Sequence, residues 1–165
     1  MAINNKGFTL IELVVVIVIF GILLTVGTNV FFQVVMGANK ASIEAELRQN
    51  ASFVMENITR DVRKYSCILV PDEKTLYLFD NTSCSLPVNL IYTINADGGV
   101  TRDSVVVSSP KVDFNNPNSK FTDLDGSVGR GVTVSLEARQ KTGSRWDYIG
   151  TILETQTVTV RNSIY

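Results

Sequence analysis

Lys6-Gly7-Phe8-Thr9-Leu10-Ile11-Glu12 opens directly onto Leu13-Val14-Val15-Val16-Ile17-Val18-Ile19-Phe20, and this junction decides how the rest of the chain is read. A short polar leader with one lysine gives way to a long apolar run. One carboxylate, Glu12, lies inside that run, and the next charge after it is Lys40. The 27 uncharged residues between them exceed the roughly 20 needed to cross a bilayer core. An ionisable group inside such a segment marks a functional site by default, because burying it in hydrocarbon is costly. The order of parts also differs from a removable secretory signal. There the small residue at the cleavage point follows the apolar region, whereas Gly7 precedes it. Cleavage after Gly7 leaves the apolar segment on the mature chain, with Phe8 at its new amino end.

Lys-Gly-Phe-Thr-Leu-Ile-Glu ahead of an apolar run closely resembles the signal of type IV pilins and of the pseudopilins of type II secretion. The resemblance implies cleavage by a membrane-embedded prepilin peptidase between Gly7 and Phe8, and N-methylation of Phe8. It places Glu12 fifth in the mature chain, where that family carries its glutamate. Asn57 to Lys64 looks like the helix end of minor pilins and minor pseudopilins. So do Ile91-Tyr92 followed by a turn and Arg102, and the closing Thr157 to Asn162.

The expected fold class is α+β. Residues 1–7 form the leader. Residues 8–37 form a membrane and filament-core helix, since a single span satisfies its backbone in lipid only as a helix. The β-branched run Val14–Ile19 reads as a strand in water, and the membrane setting overrides that reading. Gly21, Gly27 and Gly37 lower helix stability there. Simple tolerance is the plain account of them; a zone that extends on assembly is the functional one, weakened because the proline frequent in that family is missing. Over residues 38–65 the helix turns amphipathic. Ile43, Leu47, Ala51, Val54, Ile58, Val62 and Tyr65 recur every three or four positions as one apolar stripe, which reads as core packing. Residues 66–165 form a β-rich head. Strands are expected at 76–79, 90–94, 104–107, 132–136 and 157–160. A hairpin turn is expected at Asn95–Gly99, a long loop at 113–130, and a last hairpin starting near Trp146 and Tyr148. An antiparallel sheet with one apolar face packs on the helix stripe, because neither buries its apolar side alone.

Composition excludes several functions. The 165 residues hold 15 basic and 16 acidic side chains, for a net charge of −1. Charges are mixed along the chain with no basic block, so nothing supports nucleic-acid binding. Histidine is absent, which removes the commonest general base and metal ligand and any Ser-His or Cys-His pair. No Walker-type phosphate loop occurs. No catalytic residue and no cofactor is expected. Cys67 and Cys84 are the two cysteines; in an oxidising compartment an even pair forms a disulfide, and two separate buried thiols are the plainer alternative. Asp123-Leu124-Asp125-Gly126 resembles part of a calcium loop, with carboxylates two apart before a glycine. It lacks the later bidentate acid and reads first as a turn.

The expected function is that of a minor pilin or pseudopilin: a structural, single-pass subunit waiting in the cytoplasmic membrane with its head outside the cytosol, then drawn into a filament. Its partners are the prepilin peptidase, other pilin or pseudopilin subunits and a membrane assembly-platform protein. Glu12 can snorkel to the nearby cytosolic interface, take up a proton or meet a positive charge; within a filament the expected partner is the positive amine of Phe8 on a neighbour, with plain snorkelling the alternative. The competing class is a membrane-tethered or filament-tip binding module, DNA-uptake pseudopilins included.

Overall fold

The computed structural model describes residues 9–124, 131–141 and 150–160. Among the described residues, one α-helix, α1 (Leu10–Lys64, 55 residues), is followed by nine strands. The chain divides into two compact units, Met1–Ala41 and Ser42–Tyr165.

In the first unit α1 is apolar all round, and its large side chains from Leu10 to Met36 are exposed. By length and composition it can cross a membrane. Its threonines hide their hydroxyls: Thr25 Oγ1 donates to the Gly21 carbonyl at 2.8 Å and Thr28 Oγ1 to the Leu24 carbonyl at 2.6 Å. Such back-bonding satisfies a polar group where no water is at hand.

The second unit starts its core with Leu47. Leu47, Ala51, Val54, Ile58 and Val62 of the stripe are buried, and Ile43 and Tyr65 pack partly buried against the same cluster. Two sheets complete the unit. The first joins β1 (Cys67–Asp72), β2 (Thr75–Phe79), β3 (Leu90–Ile94), β4 (Val100–Arg102) and β5 (Val105–Val106) in chain order, every pair antiparallel. Sequential antiparallel neighbours need only short turns. In the second, β8 (Gly131–Gln140) is central. It pairs along its length with β9 (Thr151–Thr159), and on its other side with β6 (Val112–Asp113) and β7 (Lys120–Asp123). Alternation places Leu76, Leu78, Tyr92, Val134 and Leu136 in the core, as the two-residue period of a one-sided sheet requires.

The turn from β3 to β4 runs through Asn95–Gly99, where the Asn95 amide donates to the Gly99 carbonyl at 2.8 Å and the Gly98 amide to the Asn95 carbonyl at 3.0 Å. Gly98 has φ +87°, and a Cβ there collides with the Asp113 side chain. Glycine is required on both counts.

The expected loop at 113–130 is corrected in part. Its stretch Lys120–Asp123 is strand β7, anchored by Phe121 in the core. The segment before it is pinned by a polar network. Lys74 Nζ donates to the carbonyls of Asn116 (2.7 Å) and Ser119 (2.6 Å). Asn116 Nδ2 donates to the Glu137 carbonyl at 2.6 Å, and the Glu137 amide donates to Ser119 Oγ at 2.8 Å. Residues 125–130, with Trp146 and Tyr148, lie outside the described residues.

A second polar lock ties helix to sheet. Asp61, on α1 and buried, accepts at Oδ2 from the Tyr92 hydroxyl at 2.7 Å and from Arg102 Nε at 2.8 Å. Burial, then the bond to Asp61, pushes the Tyr92 phenol well above its ordinary value. The same carboxylate raises the Arg102 guanidinium.

Candidate assembly site at the helix N-terminus

Thr9 and Glu12 build the start of α1 between them. The Thr9 amide and the Thr9 hydroxyl each donate to Glu12 Oε2 at 3.0 Å, and the Glu12 amide donates back to Thr9 Oγ1 at 3.4 Å. The first helical bond runs from the Leu13 amide to the Thr9 carbonyl at 3.3 Å. Thr9 is thus the N-cap and Glu12 the third helical residue of a capping box, which satisfies amides that an α-helix start leaves without partners. A carboxylate there also lies at the positive end of the helix dipole.

The box uses one carboxylate oxygen. Among the described residues, no side chain or amide donates to Glu12 Oε1, and no cation is paired with the group. Toward the described residues, the carboxylate that begins this apolar helix leaves half its accepting capacity unspent. What such a group can do is bind a cation or hydrogen-bond donor arriving from outside the segment. Gly7 and Phe8 lie outside the described residues. Thr9 was missed in the sequence although its signal was present: Thr9-Leu10-Ile11-Glu12 fits the threonine-x-x-glutamate pattern that precedes an apolar helix.

The other candidate residues lie in the head. Cys67 opens β1 and Cys84 lies between β2 and β3. Their Cα atoms are 5.5 Å apart and they are joined as a disulfide, a separation ordinary for such a bond. Asp123 ends β7, while Asp125 lies outside the described residues. Among the described residues no group of three or more His, Cys, Asp or Glu side chains could hold a metal ion.

A long apolar helix begun by a capped carboxylate and followed by antiparallel sheets fits a protein anchored in a membrane through its N-terminal helix. The profile of the prokaryotic N-terminal methylation motif matches residues 3–28, spanning the leader junction, Glu12 and the first half of the apolar run. That motif on this fold supports a type IV pilin-like protein, of the kind processed by a prepilin peptidase. Among curated proteins and among solved structures, nothing matches the chain.

Proposed function

We propose that the chain is a minor subunit of a type IV pilus or of a type II secretion-type filament, with a structural and not a catalytic role. The observation that carries this is Glu12: a carboxylate with an unused oxygen at the head of an apolar helix, inside the matched methylation motif. In this reading the peptidase cuts between Gly7 and Phe8, and Phe8 is N-methylated and keeps its positive charge. That amine then pairs with Glu12 of an adjacent subunit. The pair is attractive in a low-dielectric core, where an unpartnered charge is costly. It fixes the axial stagger of one helix on the next.

The apolar helix exchanges lipid contacts for protein contacts on assembly. That exchange has no strong hydrophobic drive of its own, so a separate motor and a membrane platform protein supply the work. The head lies outside the cytosol, a placement that the Cys67–Cys84 bond supports, since such bonds persist in oxidising compartments. The direct test is the intact mass of the mature protein. The expected result is loss of residues 1–7 with one added methyl. A mature chain that keeps its leader inside a working filament overturns the reading.

A further inference from the structure

Three amides interrupt the uncharged stretch beyond Glu12, Asn29, Gln33 and Asn39, and the first two lie one helical turn apart. Asn29 and Gln33 lie four residues apart on α1, among exposed Val26, Val30, Phe32 and Met36. Elsewhere on α1, Asn50 and Asn57 return their amides to the carbonyls four residues back, at 2.8 and 2.9 Å. Thr25 and Thr28 do the same with their hydroxyls. Among the described residues, Asn29 and Gln33 make no side-chain hydrogen bond. At 1.5 Å per residue, Asn29 stands roughly 25 Å along the helix from Glu12. That is inside an apolar layer about 30 Å thick, where an amide without a partner is destabilising, while Gln33, roughly 32 Å along, stands at its far edge.

The spacing of the amides repeats that of the assembly charges. Phe8 to Glu12 is four residues, and so is Asn29 to Gln33. Phe8 to Asn29 and Glu12 to Gln33 are each twenty-one residues, three heptads. Helices packed at a small left-handed crossing angle keep residues seven apart on one seam. Both polar pairs therefore share a seam, with Val15 and Ile22, then Ile19 and Val26, between them. An axial offset of four residues brings the Phe8 amine of one helix level with Glu12 of the next. The same offset brings Asn29 of the first level with Gln33 of the second.

We infer that Asn29 and Gln33 form an interhelical amide pair with a second copy of this helix, in the register set by the Phe8–Glu12 charge pair. Each amide offers both a donor and an acceptor, so Asn29 on one copy satisfies Gln33 on the other. The charge complementarity of the first pair and the hydrogen-bond complementarity of the second agree on one stagger. A second copy is the occupant that carries both pairs at the required spacing. This inference rests on the filament reading and adds to it the seam, the partner and the register.

The test uses the full chain in cells that assemble it, with differently tagged copies carrying Asn29→Cys and Gln33→Cys. Oxidation should join an Asn29→Cys copy to a Gln33→Cys copy in roughly three- to tenfold excess over either variant paired with itself, given the modest strength of interhelical hydrogen bonds. A Leu24→Cys pair, on the opposite face, should give little product. Equal yields for all pairings overturn the register, and a product of another size, holding a sibling subunit, overturns the second copy as partner. Replacing both amides by leucine should lower incorporation roughly three- to tenfold with processing unchanged. The exchange Asn29→Gln with Gln33→Asn should retain it. Unchanged incorporation of the leucine variant overturns the amide pair. Native chain that is processed but never enters a filament overturns the filament reading itself; native chain in the filament with unregistered cross-links overturns the amide pairing alone.

Discussion

Glu12 Oε2 closes the capping box with Thr9, and in the proposed filament the same carboxylate meets a partner's amine. The two roles separate by substitution. Gln at the third helical position still completes a capping box but carries no charge. If assembly depends on the charge, Glu12→Gln and Glu12→Ala should lower incorporation alike, by at least about tenfold, because losing one partner of a desolvated pair strands the other. If the cap is what matters, Glu12→Gln should assemble normally. Processing after Gly7 should be unchanged in both variants, read from the mobility of the mature chain. Glu12 stands out in the sequence as a lone acid in an apolar run. Its bonds to Thr9 follow a different pattern, the threonine-x-x-glutamate of a helix start, which hydropathy does not display.

Among the elements, the helix was easier to read than the strands. The stripe from Leu47 to Val62 repeats at helical spacing and faces the core as that spacing requires. β1 escaped notice because Cys67-Ile68-Leu69-Val70 follows the helix with no turn signal between, and Pro71 sits in a register shift near its end. β7 has one core side chain, Phe121, inside a polar stretch. β8 was read only to Leu136, since Glu137 and Arg139 break its apolar pattern. Those residues make a local network instead: Arg139 Nε donates to Glu137 Oε1 at 2.7 Å. Burial acts to raise the Glu137 carboxyl, but the bonds from Arg139 and Asn118 outweigh it and hold the group below its ordinary 4.5. A depressed folded value means that the unfolded chain binds the proton more readily. Glu137 thus contributes stability above about pH 4.5, lost as pH falls through the folded value. Denaturation midpoints in detergent should drop on acidification below that point, and Glu137→Gln should flatten this acid limb. The Asp61 lock gives a second expectation. Asp61→Ala strands the buried Tyr92 hydroxyl, while Arg102, 43% exposed, can still reach water. The loss should be about 2–3 kcal/mol, below that of a fully buried pair, measured by urea unfolding. Tyr92→Phe, which removes a single bond, should cost only about 1 kcal/mol.

On the scale of the whole molecule, the two units obey different solvents. The first unit exposes its large apolar side chains from Leu10 to Met36, whereas every buried side chain of the helix belongs to the second, beginning at Leu47. The sheets, the disulfide and both polar locks also lie wholly within the second unit. The buried core of the head is therefore built from residues of the second unit. A chain starting at Ser42 should be soluble without detergent and should unfold in one cooperative step, as single domains of this size do. Its melting midpoint should fall within a few degrees of that of the full chain in detergent, because the buried side chains and the disulfide belong to the second unit. Reduction of Cys67–Cys84, which closes a 17-residue span, should lower the stability of both chains by about 3 kcal/mol. The shortened chain should remain outside the filament, since it lacks the apolar helix and Glu12. Circular dichroism melts of the two chains, oxidised and reduced, check these expectations. A shortened chain that is unfolded, or that melts far below its parent, would show that the apolar segment contributes to the head's stability.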